Sequence, residues 1–164
     1  MKILFLMRHA QAEKAFLKSD FEREIEACGI EACNIVGDYL RKIDRVPEVI
    51  LCSTATRTKQ TAEHLTKHLQ KEIPTEFINN LYLSEPQTIL EELAFLSADI
   101  NSAMVIAHNP GILQTYLELC AEHNDKDDID EMMPTCGVVI FQLDIDTWDQ
   151  VTPTRCKLVS FFKP

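Results

Sequence analysis

Lys2-Ile3-Leu4-Phe5-Leu6-Met7-Arg8-His9 is the stretch on which the fold turns. Its apolar run, Ile3 to Met7, is short, alternates poorly and stops at a charged pair, the pattern of a strand buried on both faces. Two further runs repeat it. Val49 to Cys52 leads into Ser53-Thr54, and Ala103 to Ala107 leads into His108-Asn109-Pro110-Gly111. Between the runs, apolar residues recur at helical spacing: Ile30, Cys33, Gly37 and Leu40, then Thr58, Ala62, Leu65 and Leu69. Leu90, Leu93 and Leu96 follow Pro86, and Leu113, Tyr116, Leu117 and Cys120 make a fourth stripe.

Strands alternating with helices predict an α/β domain, a mostly parallel central sheet with helices on both faces. Val138 to Leu143 and Lys157 to Phe162 are rich in strand formers with no helix between them, so an antiparallel pair is expected at one side of the sheet. Ser53 or Thr54 is placed to cap the second helix, and Asn109 with Pro110 fits the N-cap and first position of the fourth.

A length of 164 residues suits one domain, 1–164. Lys and Arg number 16 against 26 Asp and Glu, a formal net charge of -10, so nucleic acid and anionic membrane surfaces are poor partners. No run approaches the length of a membrane span, and Ile3 to Met7 is too short for the apolar region of a signal peptide. The six cysteines form no CxxC pair and mostly lie in apolar runs, as reduced thiols of a cytoplasmic protein would. Glu122 to Glu131 carries six acids and one Lys and reads as a solvated loop; it lacks the glycine that a calcium-binding EF-hand turn needs.

In open α/β sheets, ligands bind beyond the carboxyl ends of the strands, where helix N-termini point outward. Arg8-His9, Ser53-Thr54 with Arg57, and His108-Asn109 all fall at such ends. Taken singly, each has an ordinary explanation as a paired arginine or a hydrogen-bonded structural histidine. Together they describe an oxyanion held by fixed cations, and a phosphoryl group suits planar guanidinium donors. Arg8 and Arg57 also disfavour an imidazolium, which leaves His9 a free lone pair at neutral pH.

These residues carry a resemblance. Leu6-Met7-Arg8-His9-Ala10 resembles the Arg-His-Gly/Ala box of the histidine phosphatase superfamily, the phosphoglycerate mutase-like group, and the chain is most similar to its short SixA-type members. Asp20-Phe21-Glu22-Arg23, Ser53 through Ala62 around Arg57, Ile106-Ala107-His108-Asn109-Pro110-Gly111, and Met133-Pro134-Thr135 with Trp148 resemble that group's later blocks in order, over nearly the whole chain. Thr54 stands where proline is common, and Glu24-Ile25-Glu26 where Pro-Leu-Thr is frequent.

The resemblance implies a three-layer, phosphoglycerate mutase-like sandwich with no metal and no cofactor. It implies that His9 is the transiently phosphorylated nucleophile, that Arg8, Arg57 and His108 bind the phosphoryl oxygens, and that Asn109 belongs to the substrate-binding set. Leu83 falls where larger relatives carry an acidic proton donor, with Glu85 the nearest carboxylate. Imidazole has a pKa near 6.5 and leaves phosphorus with less help than an alcohol does, which favours phosphohistidine as substrate.

The expected function is therefore removal of the phosphoryl group from phosphorylated histidine on a phosphotransfer domain or phosphocarrier. Two alternatives stand beside it: a phosphomonoesterase of sugar phosphates or nucleotides using Glu85, and a non-catalytic module that binds phosphorylated groups. A mutase fits less well, since it needs a closed pocket. His64 and His68, spaced i, i+4, have the geometry of a metal pair but no obvious third ligand, so they read as solvent-facing. Oligomeric state and the preferred nitrogen isomer of phosphohistidine leave no mark in the sequence.

Overall fold

The three buried runs become neighbouring parallel strands. In chain order the elements are β1 (Lys2–Arg8), α1 (Ala27–Lys42), β2 (Val49–Ser53), α2 (Thr56–Leu69), β3 (Thr75–Ile78), α3 (Pro86–Ala94), β4 (Ser102–Ala107), α4 (Gly111–Leu119), β5 (Val138–Leu143) and β6 (Cys156–Phe162). The computed structural model describes residues 1–16, 18–121 and 132–164. The acidic stretch 122–131, read above as a solvated loop without a calcium turn, lies outside the described residues.

One six-stranded sheet runs in the order β3-β2-β4-β1-β5-β6. β3, β2, β4 and β1 are parallel, β5 is antiparallel to β1, and β6 is antiparallel to β5. β3 is the strand that apolar patterning does not reveal. Its four residues, Thr75-Glu76-Phe77-Ile78, pair along one side only, and Phe77 stays exposed beneath the Lys59 ammonium, so no buried run marks it.

Residues of each central strand divide between two cores, which is why the runs do not alternate with polar residues. Leu4 and Leu6 of β1, Val105 of β4 and Phe141 of β5 pack with Ile89 and Leu93 of α3 and Tyr116 of α4. On the opposite face Phe5, Met7, Met104 and Ile140 pack with Val36 and Leu40 of α1 and Leu65 of α2. The result is three layers, α1 and α2 on one face and α3 and α4 on the other.

Strand register sets the site. Arg8 is level with Ala107, and Cys52 with Ile106. His9, Ser53 and His108 therefore leave the sheet side by side at the carboxyl ends of three adjacent strands. Two backbone bonds hold the first of these exits, His9 N–H to Ala107 O at 3.1 Å and Arg8 N–H to Gly137 O at 3.1 Å.

Both helix-start expectations shift. α2 is preceded by Ala55, and no side chain caps it; Thr58 Oγ1 turns back to the Ser53 and Ala55 carbonyls, while the Ser53 hydroxyl is engaged elsewhere. α4 starts at Gly111, with Pro110 as the residue before it, and the Asn109 side chain turns away from capping, its amide nitrogen donating to Met133 O. Gly111 is required by close approach, since a Cβ there would run into the Ser84 carbonyl oxygen.

Candidate active site

His9 is buried, and its Nδ1 lies 2.7 Å from the Ala10 carbonyl oxygen. A carbonyl only accepts, so Nδ1 carries the proton and Nε2 keeps a lone pair. The next residue is fixed as well: Ala10 N–H donates to Thr61 Oγ1 at 2.9 Å, and Thr61 donates to the Arg57 carbonyl at 2.6 Å. The turn that bears His9 is thereby tied to the first turn of α2, where unpaired N–H groups and the helix dipole favour an anion.

Arg57 is the second residue of α2, and its side chain is only 3% exposed. Its Nη2 donates to His108 Nδ1 at 3.1 Å. His108 therefore accepts at Nδ1 and donates from Nε2 to Ser53 Oγ at 2.7 Å. The two imidazole rings lie 5.2 Å apart. Arg8 donates from Nη1 to Met133 O at 2.9 Å, and Asn109 reaches the same carbonyl at 3.1 Å.

Four buried polar atoms of this neighbourhood have no hydrogen-bond partner among the described residues: Arg8 Nε, Arg57 Nε, Thr54 Oγ1 and Asn109 Oδ1. Buried polar groups are almost always paired, so such a cluster marks a place built to be completed by a ligand. Three of the four can donate hydrogen, which makes that ligand an oxyanion.

Burial and charge keep both histidines neutral. The His9 pKa is lowered to about 4, first by burial and then by Arg57, Arg8 and Arg23, against the opposing bond to Ala10. That of His108 is lowered to about 3 by burial, Arg57 and His9. Arg8 is also lowered from its ordinary value by burial and by Arg57. A neutral, buried imidazole beside Arg8 and the Asp20-paired Arg57 is suited to attack an electrophile that carries negative charge.

The structure thus brings His9, Arg57 and His108 into one connected group, with Arg8 and Asn109 joined at Met133. It also recruits residues that spacing alone did not single out: Ser53 behind His108, Thr61 behind His9, and Asp20 and Tyr82 beside Arg57. Ser53 looks like a helix-start residue in sequence and Thr61 lies within the block around Arg57, and only the tertiary fold turns them into the site. His68 goes elsewhere, bonding Asp38 at 2.9 Å and approaching Arg41 at 3.3 Å on α1. Among the described residues no three His, Cys, Asp or Glu gather into a metal-holding group. Glu85 is exposed, the residue before α3, and Leu83 is exposed with a positive φ of 49°.

A three-layer sandwich presenting this oxyanion cradle at its strand ends defines a phosphatase class in which a histidine is the nucleophile. The sequence model of the histidine phosphatase superfamily (branch 1) matches residues 4–81. The chain matches that superfamily over just under half of its length, and together with the structural relatives below the match supports a hydrolase of the histidine-nucleophile type. Likeness to solved structures extends over its whole length. A candidate phosphohistidine phosphatase SixA from Nakamurella multipartitia superposes with a TM-score of 0.84 at 26% identity, covering 99% of this chain and 96% of the other. A second candidate phosphohistidine phosphatase SixA, from Agrobacterium tumefaciens, gives 0.85 at 25% identity, covering 99% and 98%. In sequence, an uncharacterised protein of Mycobacterium leprae (strain TN) is 26% identical over 165 residues, 96% of this chain and 99% of its own length.

Proposed function

We propose that the protein removes the phosphoryl group from phosphorylated histidine on a protein substrate, by way of a phosphoenzyme at His9. The observation that carries the reading is the Nδ1 bond of His9 to Ala10 O, which reserves Nε2 for attack on phosphorus. In the first step the Nε2 lone pair forms a bond to phosphorus as the substrate's P–N bond breaks, and the leaving imidazole takes that electron pair. Arg8 and Arg57 hold the equatorial oxygens and offset their charge, His108 orients Arg57 through Nδ1 and reaches an oxygen by turning its Nε2–H from Ser53, and Asn109 is part of the same binding set. The phosphorylated ring becomes cationic, and its Nδ1–H stays on the Ala10 carbonyl. Water then attacks phosphorus, and phosphate leaves with regeneration of neutral His9.

The choice of phosphohistidine over an ester rests on proton supply. Asp20, the carboxylate bonded to Arg57, is held far below the usual carboxylate range by Tyr82, Arg23 and Arg57, so it has no proton to give. Glu85 is a solvated loop carboxylate, and Leu83 carries no proton at all. An imidazole leaving group tolerates that lack better than an alkoxide does. The names carried by the two full-length structural relatives point the same way. All six cysteines are free thiols, five of them buried, which suits a reducing compartment such as the cytoplasm. Among the described residues no helix is long and apolar enough to cross a membrane.

The test is phosphate release, with metals chelated, from a phosphohistidine-bearing phosphotransfer protein and from a panel of sugar phosphates and nucleotides, each beside the His9→Ala variant. Release that is fast and His9-dependent from phosphohistidine, and slow from the esters, is expected. Faster His9-dependent release from an ester overturns the substrate assignment. Turnover retained by His9→Ala overturns the nucleophile, and tight binding without turnover of any substrate makes the protein a binding module.

A further inference from the structure

Arg57 offers five N–H donors, and their use is uneven. Its two terminal nitrogens are both taken by one residue outside the sheet: Nη1 donates to the Asp20 carbonyl at 2.6 Å and Nη2 to Asp20 Oδ2 at 3.0 Å. The second hydrogen of Nη2 goes to His108. The Nε–H, buried and without a partner among the described residues, is left for a ligand. Asp20 is itself gripped from three sides. Oδ2 also accepts from the Tyr82 hydroxyl at 2.6 Å, and Oδ1 from Arg23 Nη1 at 2.9 Å. Tyr82 in turn stands edge-on to His108 at 5.3 Å and packs against Phe21 at 5.0 Å.

We propose that Asp20 is a positioning residue for the phosphoryl-binding arginine. Its carboxylate and carbonyl pin the terminal nitrogens of Arg57, so that the second Nη2 hydrogen stays on His108 and the Nε–H is the donor presented to the phosphoryl group. The inference rests on the reading of Arg57 as a phosphoryl-binding side chain, and it is independent of which phosphorylated substrate is used. The geometry supports orientation over competition. A carboxylate acting as a stand-in for phosphate would take the Nε–H; Asp20 instead takes the terminal nitrogens and leaves the Nε–H open. Tyr82 and Arg23 serve the same arrangement by fixing both carboxylate oxygens, one each side.

Removal of the carboxylate leaves Arg57 one bond to Asp20, through the backbone carbonyl, and leaves Nη2 held by His108 alone, a looser grip on the guanidinium. Loss of an orienting partner of this kind reduces activity on the order of 10- to 100-fold. The experiment compares wild type, Asp20→Asn, Asp20→Ala, Arg57→Ala and the Asp20→Ala/Arg57→Ala double variant. For each, tungstate binding is measured by calorimetry, kcat and KM on the best substrate, and thermal midpoint.

Asp20→Ala is expected to lower kcat and weaken tungstate binding, each on the order of 10- to 100-fold. Asp20→Asn, which keeps a neutral acceptor for Nη2, recovers most of that loss. In the Arg57→Ala background the Asp20 change has no further effect on either quantity. Tighter tungstate binding by Asp20→Ala overturns the proposal in favour of a competing internal anion. A lower thermal midpoint with unchanged kcat and tungstate affinity makes Asp20 merely structural. An equal loss in the Arg57→Ala background means that Asp20 does not act through Arg57. The tungstate arm requires no turnover, so failure of the phosphohistidine assignment leaves this test standing.

Discussion

Acidification tests the burial of neutral His9 directly. In the unfolded chain a histidine titrates near its ordinary 6.5; in the folded protein His9 titrates at about 4. Above about pH 6.5 both states hold the ring neutral and stability is at its full value. As the pH falls toward 4, the unfolded chain takes up the proton first, and stability drains away. The whole effect is worth about 3 kcal/mol, of which about 2 kcal/mol is gone by pH 5. His9→Asn is the comparison of choice, because its amide nitrogen retains a donor for the Ala10 carbonyl while removing the titration. Urea unfolding of both proteins from about pH 7.5 down to 4 should show wild type losing about 2 to 3 kcal/mol more than the variant. His108 titrates low in both proteins, and its release from His9 repulsion in the variant works in the same direction. Parallel curves, or a steeper loss in the variant, would refute the neutral buried ring.

Replacing Arg57 with Ala should lower kcat/KM on the order of 10²- to 10³-fold, the loss typical of one oxyanion donor, and raise the His9 titration seen by NMR, since a neighbouring cation has gone. Ser53→Ala strands the buried Nε2–H of His108 without its acceptor; a loss of about 1 to 3 kcal/mol in urea unfolding is expected, and unchanged stability counts against the bond. Gly111→Ala pushes a methyl group into the Ser84 carbonyl and should cost about 1 to 3 kcal/mol through the backbone shift it forces, read as a fall in thermal midpoint. A thiol-specific dye should label one cysteine quickly, the exposed Cys28, and the other five only as the protein unfolds.

Much of this was legible in the chain because burial on both faces writes itself into sequence. Ile3 to Met7 and Ala103 to Ala107 are unbroken apolar runs, and a residue just past such a run is at a strand end whatever the rest of the fold does. That suffices to nominate Arg8, His9, His108 and Asn109. Strand β3 escaped because an edge strand with one neighbour, and a Phe77 facing solvent, has no need of an apolar signature. Asp20 was legible only as part of the Asp20-Phe21-Glu22-Arg23 block with no role attached, and Tyr82 escaped, for a different reason. Their work is done in pairs separated by 62 residues, and no periodicity joins residues that meet only through the tertiary fold. Ser53 was visible but misassigned as a cap. Its hydroxyl had two plausible partners in sequence terms, the start of α2 and a neighbouring strand end, and only the register of β2 against β4 decides between them.

The sheet order has a temporal consequence. Because β4 inserts between β1 and β2, the bonds that complete the site span long stretches of chain: 55 residues from Ser53 to His108, 51 from Arg57 to His108, and 125 from Arg8 to Met133. Such non-local closures are slow to form and reward the chain only once the intervening segments are in place. A growing polypeptide therefore carries His9 and Arg57 before His108, the residue that Arg57 bonds, has been made, and the group is incomplete until β4 has entered the sheet. Phosphoryl chemistry is withheld until the architecture closes, and its onset during refolding is a direct clock for the docking of the central strand.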